Sequence, residues 1–130
     1  MPRTIQYYFA PHSPWSYFGH ERFCKIAKSH GAKVLIKPID LGKVFPVSGG
    51  LPLAQRASQR QSYRLVELKR FSKSLNIPLT LQPKFFPVDP SLASKLIIDL
   101  DLNATTDIAL KVTKEIMRSV WEKEEKIGRA

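Results

Sequence analysis

Thr4-Ile5-Gln6-Tyr7-Tyr8-Phe9-Ala10-Pro11-His12-Ser13-Pro14-Trp15-Ser16-Tyr17-Phe18-Gly19 is the stretch that decides the architecture. Its first six residues are β-branched or aromatic around one glutamine and stop at the turn-forming Ala10–Pro14, which predicts a mostly buried first strand. A helix is expected at once, because Ser13 is a good N-cap and Pro14 suits the first helical position, where its missing N–H is not needed. That helix runs through Trp15, Phe18, Arg22 and Ile26 towards Gly31, a residue suited to the left-handed turn that ends helices. Lys33 to Ile39 reads as a second strand. Strand, helix and strand in this order make a right-handed βαβ unit with parallel strands, the first half of an α/β sheet.

Downstream the pattern changes. Gly42 to Pro52, with Ser48-Gly49-Gly50 inside it, reads as a loop. From Ser58 to Leu75 the apolar Tyr63, Val66, Leu68, Phe71 and Leu75 recur near helical spacing, with Arg60, Arg64, Lys69, Arg70 and Lys73 between them and Asn76 as the stop. A basic amphipathic helix is therefore expected, with Tyr63 and Phe71 filling the core. Pro78, Pro83, Pro87 and Pro90 keep 77–90 irregular, and Ser91–Leu102 and Thr106 to about Lys126 read as two further helices. The expectation is one domain, with residues 1–41 as the βαβ half and 42–130 as a loop and a helical insertion.

Composition excludes several classes. At 130 residues with 43% hydrophobic residues the chain can bury a core, and it contains no run of the ~18 to 20 apolar residues that a membrane span requires. Met1-Pro2-Arg3 leads straight into the first strand without a secretory apolar region, so a cytoplasmic location is expected. The single cysteine, Cys24, can form neither an intramolecular disulfide nor a multi-cysteine metal site, and among Phe23, Ile26 and Ala27 it reads as core. His20 and His30 have no partner at ligand spacing, so no metal is expected. Of the net charge of +10, the whole excess lies before Pro90: residues 1–50 and 51–90 each carry seven Lys or Arg against two acids, and 91–130 seven against seven. Such a field attracts anions in general. No nucleic-acid-binding signature accompanies the basic helix, so nucleic acid is not an expected partner.

Chemistry concentrates at Ser13-Pro14-Trp15-Ser16, the mouth of the first helix. A helix N-terminus offers unpaired N–H groups and a partial positive charge, and an adjacent hydroxyl adds one more donor to an anion held there. Taken alone, a Ser-Pro pair reads first as a helix cap. His12, next to it, is of a residue type that titrates near neutrality and reads as a loop histidine, a general base or a contact for a substrate carboxylate, while Trp15 and Tyr17 suit stacking on an aromatic ring or packing.

Tyr8 to Gly19, then Lys37-Pro38-Ile39-Asp40-Leu41-Gly42 with Ser48-Gly49-Gly50, then Pro83-Lys84-Phe85-Phe86-Pro87-Val88, resemble in order the 2-hydroxychromene-2-carboxylate isomerases and the kappa-class glutathione transferases. These lie in the DsbA-like branch of the thioredoxin superfamily. The resemblance implies a thioredoxin-like fold with a helical insertion, glutathione as cofactor, commonly a homodimer, and a small aromatic or bicyclic carboxylate as substrate. Where thioredoxin-type proteins carry Cys-x-x-Cys this chain has Ser13 and Ser16, so thiol–disulfide exchange is excluded. By the same resemblance Ser13 is the catalytic residue that hydrogen-bonds the glutathione sulfur. Pro14, Trp15, Gly50 and Arg60 join it on the cofactor, and His12 and Tyr17 face the substrate. Arg60 stands near a family lysine; Gly50 stands where many members have asparagine and brings no side chain. Everything after Pro90 reads as helix, so the C-terminal strands of the fold are not evident and the chain reads as a fragment or a truncated form. The alternatives to the isomerase are a kappa-type transferase and a non-catalytic glutathione-binding or assembly module.

Overall fold

The computed structural model describes residues 2–128. Strand β1 (Thr4–Phe9) and strand β2 (Lys33–Pro38) pair in parallel, from Thr4 opposite Lys33 to Phe9 opposite Pro38, with helix α1 (Pro14–Ser29) as the crossover. The βαβ unit stands as expected. Ser13 has the extended conformation of an N-cap (φ −80°, ψ 130°), Pro14 occupies the first turn, and Gly31 takes a positive φ of 59° just past the helix end. β1 is less buried than its composition suggests. Its side chains alternate, with Phe9 buried, Ile5 and Tyr7 half-buried and Tyr8 exposed, because among the described residues the sheet has only these two strands.

Residues 42–52 are not a loop throughout. Helix α2 (Leu41–Ser48) starts on Asp40, whose carboxylate accepts from the Gly42 N–H at 2.9 Å, and it stops at Gly49, where φ is +77°. Pro46 sits inside it, and a single 3₁₀ turn follows at Leu53–Gln55. A helix of eight residues absorbs one proline because so few intrahelical bonds are at stake.

Helix α3 (Ser58–Leu75) has the expected limits, and Asn76 closes it in the left-handed conformation. Its inward face differs from the expectation. Leu68 is fully buried, but Tyr63 is 56% exposed, and Val66 and Phe71 also reach solvent. The reason is geometric: Val66 lies two residues from Leu68, on the far side of the helix, whereas Leu75 lies seven residues on, two turns along the same stripe.

Helix α4 (Ser91–Asn103) matches its expected span, and helix α5 (Thr106–Trp121) is capped by Thr105, which accepts from the Ile108 N–H at 3.1 Å. α5 ends five residues short of Lys126. The Glu122 and Lys123 N–H groups both bond the Arg118 carbonyl, and the Trp121 carbonyl is taken by the Thr80 N–H at 2.7 Å. The core lies where α5 meets α1 and α4, with α3 packed on α1, and is built on Phe9, Tyr17, Phe18, Leu68, Ile97, Met117, Val120 and Trp121. Each apolar side chain buried there contributes about 1.5–3 kcal/mol. Phe86, from the proline-rich segment, closes the core against Trp121 with ring centroids 4.9 Å apart.

Candidate functional site

β1 delivers the chain to the mouth of α1 and the turn 10–13 fixes Ser13 there, its N–H bonded to the Ala10 carbonyl at 3.0 Å. The Ser13 Oγ accepts from the Ser16 N–H at 3.3 Å. Because that bond uses an oxygen lone pair, the Ser13 hydroxyl proton stays available to donate. Ser16 is engaged differently: its Oγ accepts from the Ala10 N–H at 3.4 Å and braces the turn. The first turn of α1 contains no acidic residue, so the positive helix end is not neutralised there.

Trp15, 41% exposed, is held edge-on by Phe71 (5.6 Å between centroids, 90° between planes) and forms one wall of a cavity of about 470 Å³. The rest of the lining is Arg56, Gln59, Arg60, Tyr63, Arg64 and Glu67. Trp15 and Arg60 thus line one cavity. Arg64 stands four residues after Arg60 on α3, and Arg56, in the extended backbone before that helix, brings a third guanidinium to the same cavity. Ser13 and Pro14 stand beside Trp15 at the helix mouth but do not line this cavity.

The other candidates lie elsewhere. Tyr17 points into the core side of α1, not to the Ser13 mouth: its hydroxyl donates to Glu122 Oε1 at 2.6 Å and approaches the Pro78 carbonyl. Burial, reinforced by the Glu122 carboxylate, raises its pKa, so it stays a phenol. It lines a second cavity of about 390 Å³ with His20, Lys114 and Arg118 among others. Gly50 packs against Phe45, whose ring a Cβ at that position would meet at 2.6 Å, so glycine here answers a packing need. His12 is half-buried with its Nδ1 enclosed and without a partner among the described residues, and its ring centroid is 6.4 Å from Phe86. Burial lowers its pKa, against a smaller upward pull from Asp40 and Asp89, so the imidazole is neutral at pH 7.

Cys24 is half-buried and not fully in the core. Its sulfur is 3.7 Å from His20 Nε2, and burial followed by the Glu21 charge raises its pKa, which keeps it a thiol. Among the described residues no group of His, Cys, Asp or Glu could hold a metal ion, and no helix is long and apolar enough to cross a membrane.

A family model described as a DSBA-like thioredoxin domain matches residues 4–130. The chain is 31% identical over 132 residues to glutathione S-transferase kappa 1 of Caenorhabditis elegans, an alignment covering 98% of this chain and 57% of the relative. It is 28% identical over 82 residues to 2-hydroxychromene-2-carboxylate isomerase of Pseudomonas putida, covering 62% of this chain and 40% of the relative. Among solved structures, that of a 2-hydroxychromene-2-carboxylate isomerase superposes with a TM-score of 0.68 at 23% identity, over 95% of this chain and 58% of the other. The chain therefore spans little more than half the length of such relatives.

Proposed function

The chain belongs to the DSBA-like thioredoxin domain family, and from that premise we propose that it is the glutathione-binding part of an isomerase of the 2-hydroxychromene-2-carboxylate type, acting on an aromatic or bicyclic carboxylate. The observation that carries this reading is the state of Ser13: an oxygen already accepting from Ser16 and a hydroxyl proton free to donate, at a helix end with no acidic residue in its first turn. A thiolate is the ligand such a site suits, and the exposed Arg60 beyond Trp15 supplies positive charge for a carboxylate of glutathione. The residues present thus fit glutathione. When bound, glutathione supplies a sulfur nucleophile that adds reversibly to a conjugated substrate, permits ring opening and bond rotation, and is returned unchanged. Ser13 and the N–H groups of α1 hold the charge at the sulfur; Trp15 and Arg60 position what lies beside it. His12, neutral at pH 7, stands next in sequence to Ser13 and serves as a substrate contact. A homodimer is part of the same reading.

A kappa-type transferase is the second reading, and the longer, more similar alignment to the Caenorhabditis elegans protein favours it. Product analysis separates the two: an isomerase leaves total glutathione constant, and a transferase consumes it one for one. Calorimetric titration of the 130-residue chain with glutathione, beside Ser13→Ala, tests the shared premise. Binding that weakens about tenfold or more in the variant is the expected result. A folded chain that binds no glutathione would leave only a non-catalytic assembly module.

A further inference from the structure

On α3 the stripe that faces the protein runs Arg64, Leu65, Leu68, Ser72 and Leu75, at the i, i+1, i+4, i+8 and i+11 spacing of one helical face. A guanidinium therefore occupies the first position of the inward row, one turn before the fully buried Leu68. Arg64 is half-buried, with its guanidinium over the Phe86 ring at 5.6 Å. The ion pairs among the described residues use Lys25, Lys114, Arg118 and Lys123 as their cations, and none uses Arg64. Glu67 lines the same cavity three residues on, yet it does not close to ion-pair distance. Arg56, beside it, donates from Nε to the Leu51 carbonyl at 2.9 Å, a contact that fixes the side chain and leaves its charge unneutralised. Burial and the Arg56 charge both press on the protonated state of Arg64. A partly desolvated cation beside a like charge, with no carboxylate of the described residues at ion-pair distance, is an arrangement that an incoming anion relieves.

We propose that Arg64, held over Phe86 and flanked by Arg56, is the anion receptor of this cavity and takes a planar carboxylate whose ring lies against Trp15. The fork of N–H groups on a guanidinium matches the two oxygens of a carboxylate, and no protein acceptor among the described residues occupies the Arg64 fork. Phe71 fixes the plane of the Trp15 indole, so the wall on which a ring would rest is set before the ligand arrives. The exposed Arg60 adds charge without fixed geometry. This inference rests on the proposed function to the extent that it names the residue orienting the carboxylate substrate.

The test is calorimetric titration of the full chain with 1-naphthoate and, separately, with 1-naphthamide, which has a similar shape and no charge. Naphthoate is expected to bind about tenfold or more tightly than naphthamide, and Arg64→Gln to remove most of that advantage while leaving naphthamide binding within about twofold. Arg64→Lys, which keeps the charge and the stem but not the fork, is expected to retain part of the preference, and Arg60→Gln most of it. Glu67→Gln is expected to strengthen naphthoate binding. Equal binding of the two probes, absence of binding by either, or a preference that survives Arg64→Gln would overturn the proposal; if Arg64→Gln does not fold, a full preference in Arg64→Lys together with its loss in Arg60→Gln would do the same. Ser13→Ala separates this inference from the glutathione reading: naphthoate selectivity should persist in that variant, and it should persist even if the wild-type chain binds no glutathione.

Discussion

Single residues carry two kinds of information here, and only one of them is visible in the sequence. Ser13 is legible because a serine before a proline at the end of a strand can do little but cap a helix, and the cap is what exposes its proton. His20 is not legible. It lies in α1 with polar neighbours, yet the structure buries it, with Nδ1 2.7 Å from the Tyr7 hydroxyl and Nε2 2.9 Å from the Leu110 carbonyl. A carbonyl only accepts, so Nε2 carries the hydrogen and Nδ1 receives the Tyr7 proton; the native network requires the neutral ring. Burial lowers the His20 pKa, partly opposed by its bond to Leu110. Because the folded value lies below that of the unfolded chain, the unfolded state binds more protons between the two. Stability is then complete above about pH 6.5 and declines as the pH falls through the lower folded value. Denaturant titrations at pH 7.5 and 5.0 should show this decline in the wild type and a smaller one in His20→Gln, and equal declines would exclude His20 as its source.

At the level of elements, legibility follows the strength of the terminal signals. α1 has a serine cap, a proline in its first turn and a glycine past its end, and its limits are where the sequence puts them. α2 has the same kind of brackets in Asp40 and Gly49, but the proline and glycines between them outweigh the caps in any reading by composition. Two glycines give a paired prediction. Gly19 lies inside α1 with open space where a Cβ would stand, so Gly19→Ala should raise stability by about 0.5–1 kcal/mol, mainly through lost freedom of the unfolded chain. Gly49 also has open space but holds a φ of +77°, so Gly49→Ala should lower stability by about 1 kcal/mol. Thermal melts of the two variants should shift in opposite directions; shifts of the same sign would contradict the backbone argument.

For the whole molecule, the sequence conveys the order of elements better than the side of each that faces inward. The basic helix is evident in the sequence, but the five apolar residues on it do not share one face, and its inward row includes an arginine that charge patterning alone does not single out. The assignment can be checked by Leu68→Ala, expected to cost about 2–5 kcal/mol, against Val66→Ala, expected to cost under about 1 kcal/mol, each from urea unfolding. Comparable losses would return Val66 to the core. The parallel pairing of β1 with β2 has one more consequence, which concerns how each strand treats other chains. β2 carries Lys33, Lys37 and the donor-less Pro38, the residue types that discourage further backbone pairing at an outer edge. β1, Thr4 to Phe9, carries no charge and no proline. Among the described residues, then, the flank of β2 has the composition that resists a further strand and the flank of β1 the composition that accepts one.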